Sequence, residues 1–235
     1  AATPWVVMVN GGLYVENLTL KPHVHLMGRT GSGGLGACPI IRTTGGATTH
    51  TAPLTNAADV VLLYNLRFEN TSNIPTAAML YKTGAGTLVG VMGTFTQSGI
   101  AAAIGSAIQS DGGVAAFSEC NINTNTGNAA DRFAFSGVGG IVQLTRCSLE
   151  GPSGLSLGAV TATNIQDTEI DSTTGSTLTS DAPILNISYS TLTTSAGTVL
   201  DIHPGAGALV GTVTVSVRWS RIGGAITFDK TGITG

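Results

Sequence analysis

One six-residue pattern returns along the chain and limits the folds open to it. It stands as Leu63-Tyr64-Asn65-Leu66-Arg67-Phe68 and as Phe117-Ser118-Glu119-Cys120-Asn121-Ile122. It returns as Leu144-Thr145-Arg146-Cys147-Ser148-Leu149, Ile165-Gln166-Asp167-Thr168-Glu169-Ile170, Ile187-Ser188-Tyr189-Ser190-Thr191-Leu192 and Val217-Arg218-Trp219-Ser220-Arg221-Ile222. Each copy reads apolar, two variable residues, a small or apolar residue, one variable residue, apolar. From last residue to last residue the steps are 54, 27, 21, 22 and 30. The 54 is two steps, with a degenerate copy at Val91-Met92-Gly93-Thr94-Phe95-Thr96. Recurrence at 20–30 residues with short strands as units is the mark of a solenoid, in which no unit buries its own apolar face and stacking supplies the core.

Alternation defines the strands. Val142, Leu144, Cys147 and Leu149 point inward, and Thr163, Ile165, Thr168 and Ile170 repeat them one coil on. Each coil therefore carries two short strands joined by a bend, and a third strand that the pattern does not place. Successive coils run the same way, so strands stack in parallel about 4.8 Å apart. The fold expected is all-β, a parallel β-helix of roughly eight or nine coils and about 40 Å long. One domain over 1–235 is expected. Residues 1–56 form opening coils with a projecting Gly/Thr loop from 29, 57–222 the regular coils, and 223–235 a terminal strand. Longer excursions are expected at 123–137 and 194–212. A β-sandwich built of the same short strands leaves the recurrence unexplained.

This strand–bend–strand unit resembles the right-handed parallel β-helix of the pectin-lyase-like superfamily, where Asn often holds the second bend position. Asn65 matches there. Glu119, Arg146, Asp167, Tyr189 and Trp219 depart from it, so no asparagine ladder is expected. The opening stretch, Gly12-Leu13-Tyr14-Val15-Glu16 followed by Leu18, Leu20, Val24, Leu26 and Gly28, is similar to the first coil of that superfamily. It is closest in style to surface and tail proteins of tailed phages. The resemblance covers about 20 residues and implies fold rather than activity.

Composition narrows the function classes. Only 10% of residues are charged and the net charge is −3, against roughly 25% charged in ordinary domains. No basic patch for nucleic acid is visible, and no 18-residue apolar run for a membrane span. The chain opens Ala1-Ala2-Thr3-Pro4-Trp5-Val6, without the basic and apolar regions of a signal peptide. Cys38, Cys120 and Cys147 are too few for a disulfide framework. Cys120 and Cys147 share one inward slot in consecutive coils and read as buried free thiols. No amphipathic capping helix is legible at either end, which implies caps supplied by further residues or by association.

Five constellations carry candidate chemistry. Glu119, Arg146 and Asp167 share the bend slot of three consecutive coils. They form either a sugar-binding cluster or, more simply, an exposed ion-pair ladder. Glu150 and Asp171 follow the last strand residue of adjacent coils, about 5 Å apart in backbone, with Glu169 on the same outward face. Carboxylates at that separation suit glycoside hydrolysis, and the plain alternative is a solvated face. They lack the Asp-Asp, Gly-His-Gly and Arg-Ile-Lys elements of polygalacturonases. Gln166-Asp167-Thr168 resembles the Gln-Asp-Thr of pectinesterases, which implies Asp167 as nucleophile. Such a mechanism needs a second Asp one coil earlier, where Gln143-Leu144-Thr145-Arg146 has none, and Asp111 is two coils away. His23 and His25, at i and i+2, are metal-ligand candidates if both lie in one strand. His50 and His203 read as loop residues. Tyr189 and Trp219 share the bend slot one coil apart and suit a small glycan platform.

The function expected is structural: a tail spike, fibre section or capsid decoration of a tailed phage. It would be trimeric, in contact with other virion proteins and with a host-surface glycan, located on the virion and without a cofactor. A polysaccharide hydrolase or lyase, or a carbohydrate esterase, is the enzymatic alternative. A secreted or cell-surface bacterial adhesin is the third.

Overall fold

The computed structural model describes residues 3–29, 38–44, 49–71, 78–98, 105–124, 132–202 and 214–228. These residues contain no helix, and the strands pair in parallel throughout in sheets of 14 and nine strands. The chain is an all-β parallel solenoid.

The larger sheet folds into two faces, so each coil has three sides. Ser106–Ser118, Phe133–Thr145 and Ser153–Gln166 each run along both faces. Their first halves pair with Ala78–Thr83 and Leu178–Ser180, their second halves with Thr87–Val91 and Ile184–Ser188. We call these faces the leading and middle sheets. The nine-stranded sheet, from Leu13–Val15 to Arg221–Gly223, is the trailing one. The corner between leading and middle faces is marked by register shifts after Ser110 and Gly140. Gly113 (φ 59°) and Gly140 (φ 79°) occupy it in adjacent coils. A methyl on Gly140 would collide with the Gly113 carbonyl, so only glycine lets the two backbones approach there.

The leading sheet supplies the third strand that the repeat leaves unplaced. Three strands fall where loops or excursions are expected. His50–Pro53 joins the leading sheet and Ile40–Arg42 the trailing sheet, both within the stretch 29–56. Leu200–Ile202 likewise lies inside the expected excursion at 194–212. Ala101–Ile104 and His203 lie outside the described residues. The tail strand is Ile226–Phe228.

The core consists of columns, one residue per coil. On the trailing sheet, Ile41, Phe68, Phe95, Ile122, Leu149, Ile170, Leu192 and Ile222 stand in register. Phe68 and Phe95 stack at 5.6 Å, and Phe95, Phe117 and Phe135 continue edge to face at 5.4 and 5.8 Å. Gly90 sits in the Phe117 column, where a side chain would displace that ring. Burying one such aromatic removes 150–250 Å² of surface from water, so the spine contributes several kcal/mol per coil at roughly 25 cal/mol per Å².

The bend between middle and trailing strands has one backbone conformation in seven successive coils. Asn65, Met92, Glu119, Arg146, Asp167, Tyr189 and Trp219 all have φ between 48° and 56°. For a non-glycine residue the left-handed region costs roughly 1–2 kcal/mol. The ladder on either side imposes it. From Asn65 to Tyr189, each bend amide donates to the carbonyl before the bend of the next coil, at 2.9–3.1 Å. The amide two residues on donates back to the preceding coil, as Ser148 does to Cys120 at 2.9 Å.

Candidate functional site

Reversal of the ladder at the bend leaves the intervening amide out of the backbone pairing. A side chain of the next coil meets it. The Cys147 amide donates to Thr168 Oγ1 (3.3 Å), the Thr168 amide to Ser190 Oγ (3.2 Å) and the Ser190 amide to Ser220 Oγ (3.1 Å). Each hydroxyl donates in turn to the carbonyl two residues back, Thr168 to Gln166 at 2.8 Å, Ser190 to Ser188 at 2.8 Å and Ser220 to Arg218 at 2.9 Å. Cys120 and Cys147 do the same through Sγ, to Ser118 and Thr145 at 3.3 and 3.4 Å. From Cys120 onward the slot therefore carries a compact O–H or S–H group, where the two earlier coils have Leu66 and Gly93. The cysteines are free thiols. The neighbouring Cys147 sulfur and then burial hold the Cys120 thiol well above its ordinary pKa, so it is not a poised nucleophile.

This ladder fixes the bend residues as an outward row, and their chemistry varies coil by coil. Arg146 donates through Nε and Nη2 to Glu119 Oε1 at 3.1 and 2.6 Å. Both side chains are exposed, so the pair contributes at most about 1 kcal/mol. Asp167 accepts instead from Gln166 Nε2 at 3.4 Å. The arginine thus sides with one acid rather than bridging two. Asp167 is exposed and carries no second carboxylate from the coil below, where Arg146 occupies the slot.

Tyr189 and Trp219 form the end of the row. Their rings stack at 5.0 Å with 15° between planes, and they are 55% and 71% exposed. Planar polar groups stand on the middle strands that lead into these two bends and into that of Asp167. Asn186 Nδ2 donates to Asn164 Oδ1 at 3.0 Å, and Arg218 Nε to Ser216 Oγ at 3.2 Å.

On the trailing sheet Glu150 and Asp171 are register partners in adjacent coils, while Glu169 pairs with Ser148. Glu150 and Glu169 are exposed. Asp171 is half-buried and accepts a hydrogen bond from the Thr193 hydroxyl of the following coil. One of the three carboxylates is therefore engaged within the ladder.

The two histidines do not form a strand-borne pair. His23 precedes the strand, in a turn with φ 60°, and its Nε2 lies 3.9 Å from Asp59 Oδ1. His25 Nδ1 accepts the Leu62 amide at 3.1 Å. Among the described residues no group of three potential ligands could hold a metal ion. His50, expected in a loop, is a strand residue with no exposed surface. Its Nδ1 accepts the Leu18 amide at 3.1 Å, its ring meets Phe68 edge-on at 5.2 Å, and burial lowers its pKa to about 4.

Two clusters escape the sequence pattern. Glu69, buried on the trailing sheet, is gripped by Arg42 Nη2 at 2.8 Å and Arg67 Nε at 2.5 Å. The spacing of 27 residues from Arg42 to Glu69 equals one coil and was the available signal. Lys82 points into the core with no exposed surface, and its Nζ donates to the carbonyls of Gly84 (3.0 Å) and Gly112 (2.5 Å). Burial lowers its pKa to about 8.

Comparison with protein-family models, curated proteins and solved structures gives no match. The class defined here is thus the architecture itself, an all-β parallel solenoid with a variable outward row at each bend.

Proposed function

We propose that this chain is a non-enzymatic display element of a tailed-phage virion, a tail spike, a fibre section or a capsid decoration. It assembles with copies of itself and with other virion proteins, and it presents Tyr189 and Trp219 to a host-surface glycan. The observation that carries the reading is the exposed ring pair at 5.0 Å. A pyranose offers an apolar C–H face to an aromatic ring and hydroxyls to planar polar groups around it. Arg218 immediately precedes Trp219, and Asn186 stands three residues before Tyr189 on the middle strand that leads into its bend, so both supply such groups along the row, and the Tyr189 backbone is held by the bend ladder. A rigid platform loses little conformational freedom on binding. The viral setting rests on the low charge and on the opening coil's resemblance to phage surface proteins, which is analogy from fold.

The test is retention of the chain on immobilised bacterial envelope polysaccharide. Trp219→Ala and Tyr189→Ala should each weaken retention at least tenfold, with circular dichroism unchanged. Retention unaltered by both substitutions overturns the glycan role of this pair.

The register pairing of Glu150 with Asp171 favours a second reading, a polysaccharide-degrading enzyme. That reading requires the polymer to shorten on incubation, and the shortening to vanish when Glu150→Ala and Asp171→Ala are combined.

A further inference from the structure

The outward face of the middle sheet differs in kind from the rest of the solenoid. Along its nine rungs the register gives it one charged group apart from histidine, Arg218, in the last rung. The trailing face carries Arg42, Arg67, Glu69, Glu150, Glu169 and Asp171. The middle face also changes along its length. In the coils before residue 120 it is mainly apolar, with Leu62, Tyr64, Val89, Val91, Val114 and Ala116 half-buried and in register, interrupted by Thr87 and Ser118. Met92, 49% exposed, borders it at the bend. In the later coils the positions equivalent to Leu62 and Tyr64 are polar, Asn164, Gln166, Asn186, Ser188 and Ser216 among them, while the Val114 column stays apolar through Ile141, Ala162 and Ile184.

We infer that this face is the contact between copies of the chain, with the copies running in the same direction. Three arguments support a second copy as the occupant. The surface is free of acids and of lysine and carries its one charge, Arg218, at the last rung, so two copies of it meet over the other eight rungs without repulsion between ions and without desolvating them. It is large enough. Nine rungs at about 4.8 Å and five residues at about 3.3 Å make a face of roughly 700 Å², close to the roughly 800 Å² per partner of a standard interface. Its asymmetry selects the direction. Copies packed the same way around an axis along the solenoid bring apolar rungs onto apolar rungs. An antiparallel twofold would press Leu62 and Val89 against Asn186 and Asn164, burying amides against apolar groups that cannot bond them. The arrangement is therefore cyclic, with like coils at like height.

The inference rests on the assembly part of the proposed function and is independent of its glycan part. It is tested by light scattering on a sizing column with the 235-residue chain and three variants. The expected wild-type mass is a whole multiple of 23.6 kDa, two or more. Val89→Lys and Leu62→Lys should each give the single-chain mass with unchanged circular dichroism. Thr94→Lys, on the trailing face, should keep the wild-type mass. Single-chain mass for the wild type at every concentration overturns the inference, and so does assembly that survives both middle-face lysines. If a lysine variant fails to fold, crosslinking the wild type through Val89→Cys decides. Reaction between copies at that position supports a same-direction contact, because it brings residue 89 to residue 89, and no reaction overturns it. A single chain that still binds glycan sinks this inference alone, and an assembly that does not bind glycan sinks the platform alone.

Discussion

Thr168 is the place to test whether the inward slot holds the bend by hydrogen bonding or only by filling space. Its hydroxyl is buried, accepts the Cys147 amide at 3.3 Å and donates to the Gln166 carbonyl at 2.8 Å. Thr168→Val replaces it with a methyl group of nearly the same size. A buried donor left without a partner costs about 1–3 kcal/mol, and here a carbonyl loses its partner as well. The added methyl returns about 0.8 kcal/mol of burial. The expected net loss is about 2 kcal/mol, which for a domain of this length lowers the thermal midpoint by roughly 4–8 °C. Thr168→Ser keeps both bonds and loses the methyl, so it should cost only about 1 kcal/mol. The assay is thermal unfolding of the two variants beside the wild type. Thr168→Val as stable as Thr168→Ser, or more so, refutes the ladder as a source of stability.

Two further outcomes follow from the interior. His50 has its pKa lowered to about 4 by burial, so between pH 6.5 and 4 the unfolded chain takes up a proton that the folded chain refuses. Stability should therefore fall by about 3 kcal/mol as pH drops through that window, and it should not vary above pH 6.5 on this residue's account. Urea midpoints for the wild type and for His50→Gln check it, and equal slopes for the two proteins contradict it. Gly140→Ala combines a φ of 79° with a collision against the Gly113 carbonyl. It should cost about 3 kcal/mol or more, visible as a midpoint at least about 6 °C lower, and an unchanged midpoint would show that the corner can relax.

The bend and the strands flanking it were legible because each coil repeats an apolar position, a small slot and another apolar position at fixed spacing. The leading strands were not. Their inward columns include Lys82, Ser110 and Gly137, which interrupt the alternation that marks a strand. His50–Pro53 and Ile40–Arg42 were hidden by Gly and Thr on both sides, and with Arg42 went the grip on Glu69. The left-handed bend had a residue-level signal only at Asn65 and Asp167, the residue types that visit that region most readily. Met92, Arg146, Tyr189 and Trp219 adopt the same φ because the paired backbone before and after the bend leaves no other path. The register of Glu150 with Asp171 and of Tyr189 with Trp219 could be counted from the spacings alone. Whether side chains in register then meet depends on their neighbours, which is why Asp171 turns to Thr193 and Arg146 to Glu119. His23 was misplaced because a turn, rather than a strand, carries it into the second coil.

The most direct measurement of the account is amide hydrogen exchange at the slot following the bend. If the side chains of successive coils complete the ladder that positions the outward row, the amides of Cys147, Thr168 and Ser190 exchange as slowly as those of Leu149 and Ile170 in the adjacent strands. Exchange at the rate of an open turn at these three positions would contradict it. The row would then hang on a loose bend rather than on the solenoid.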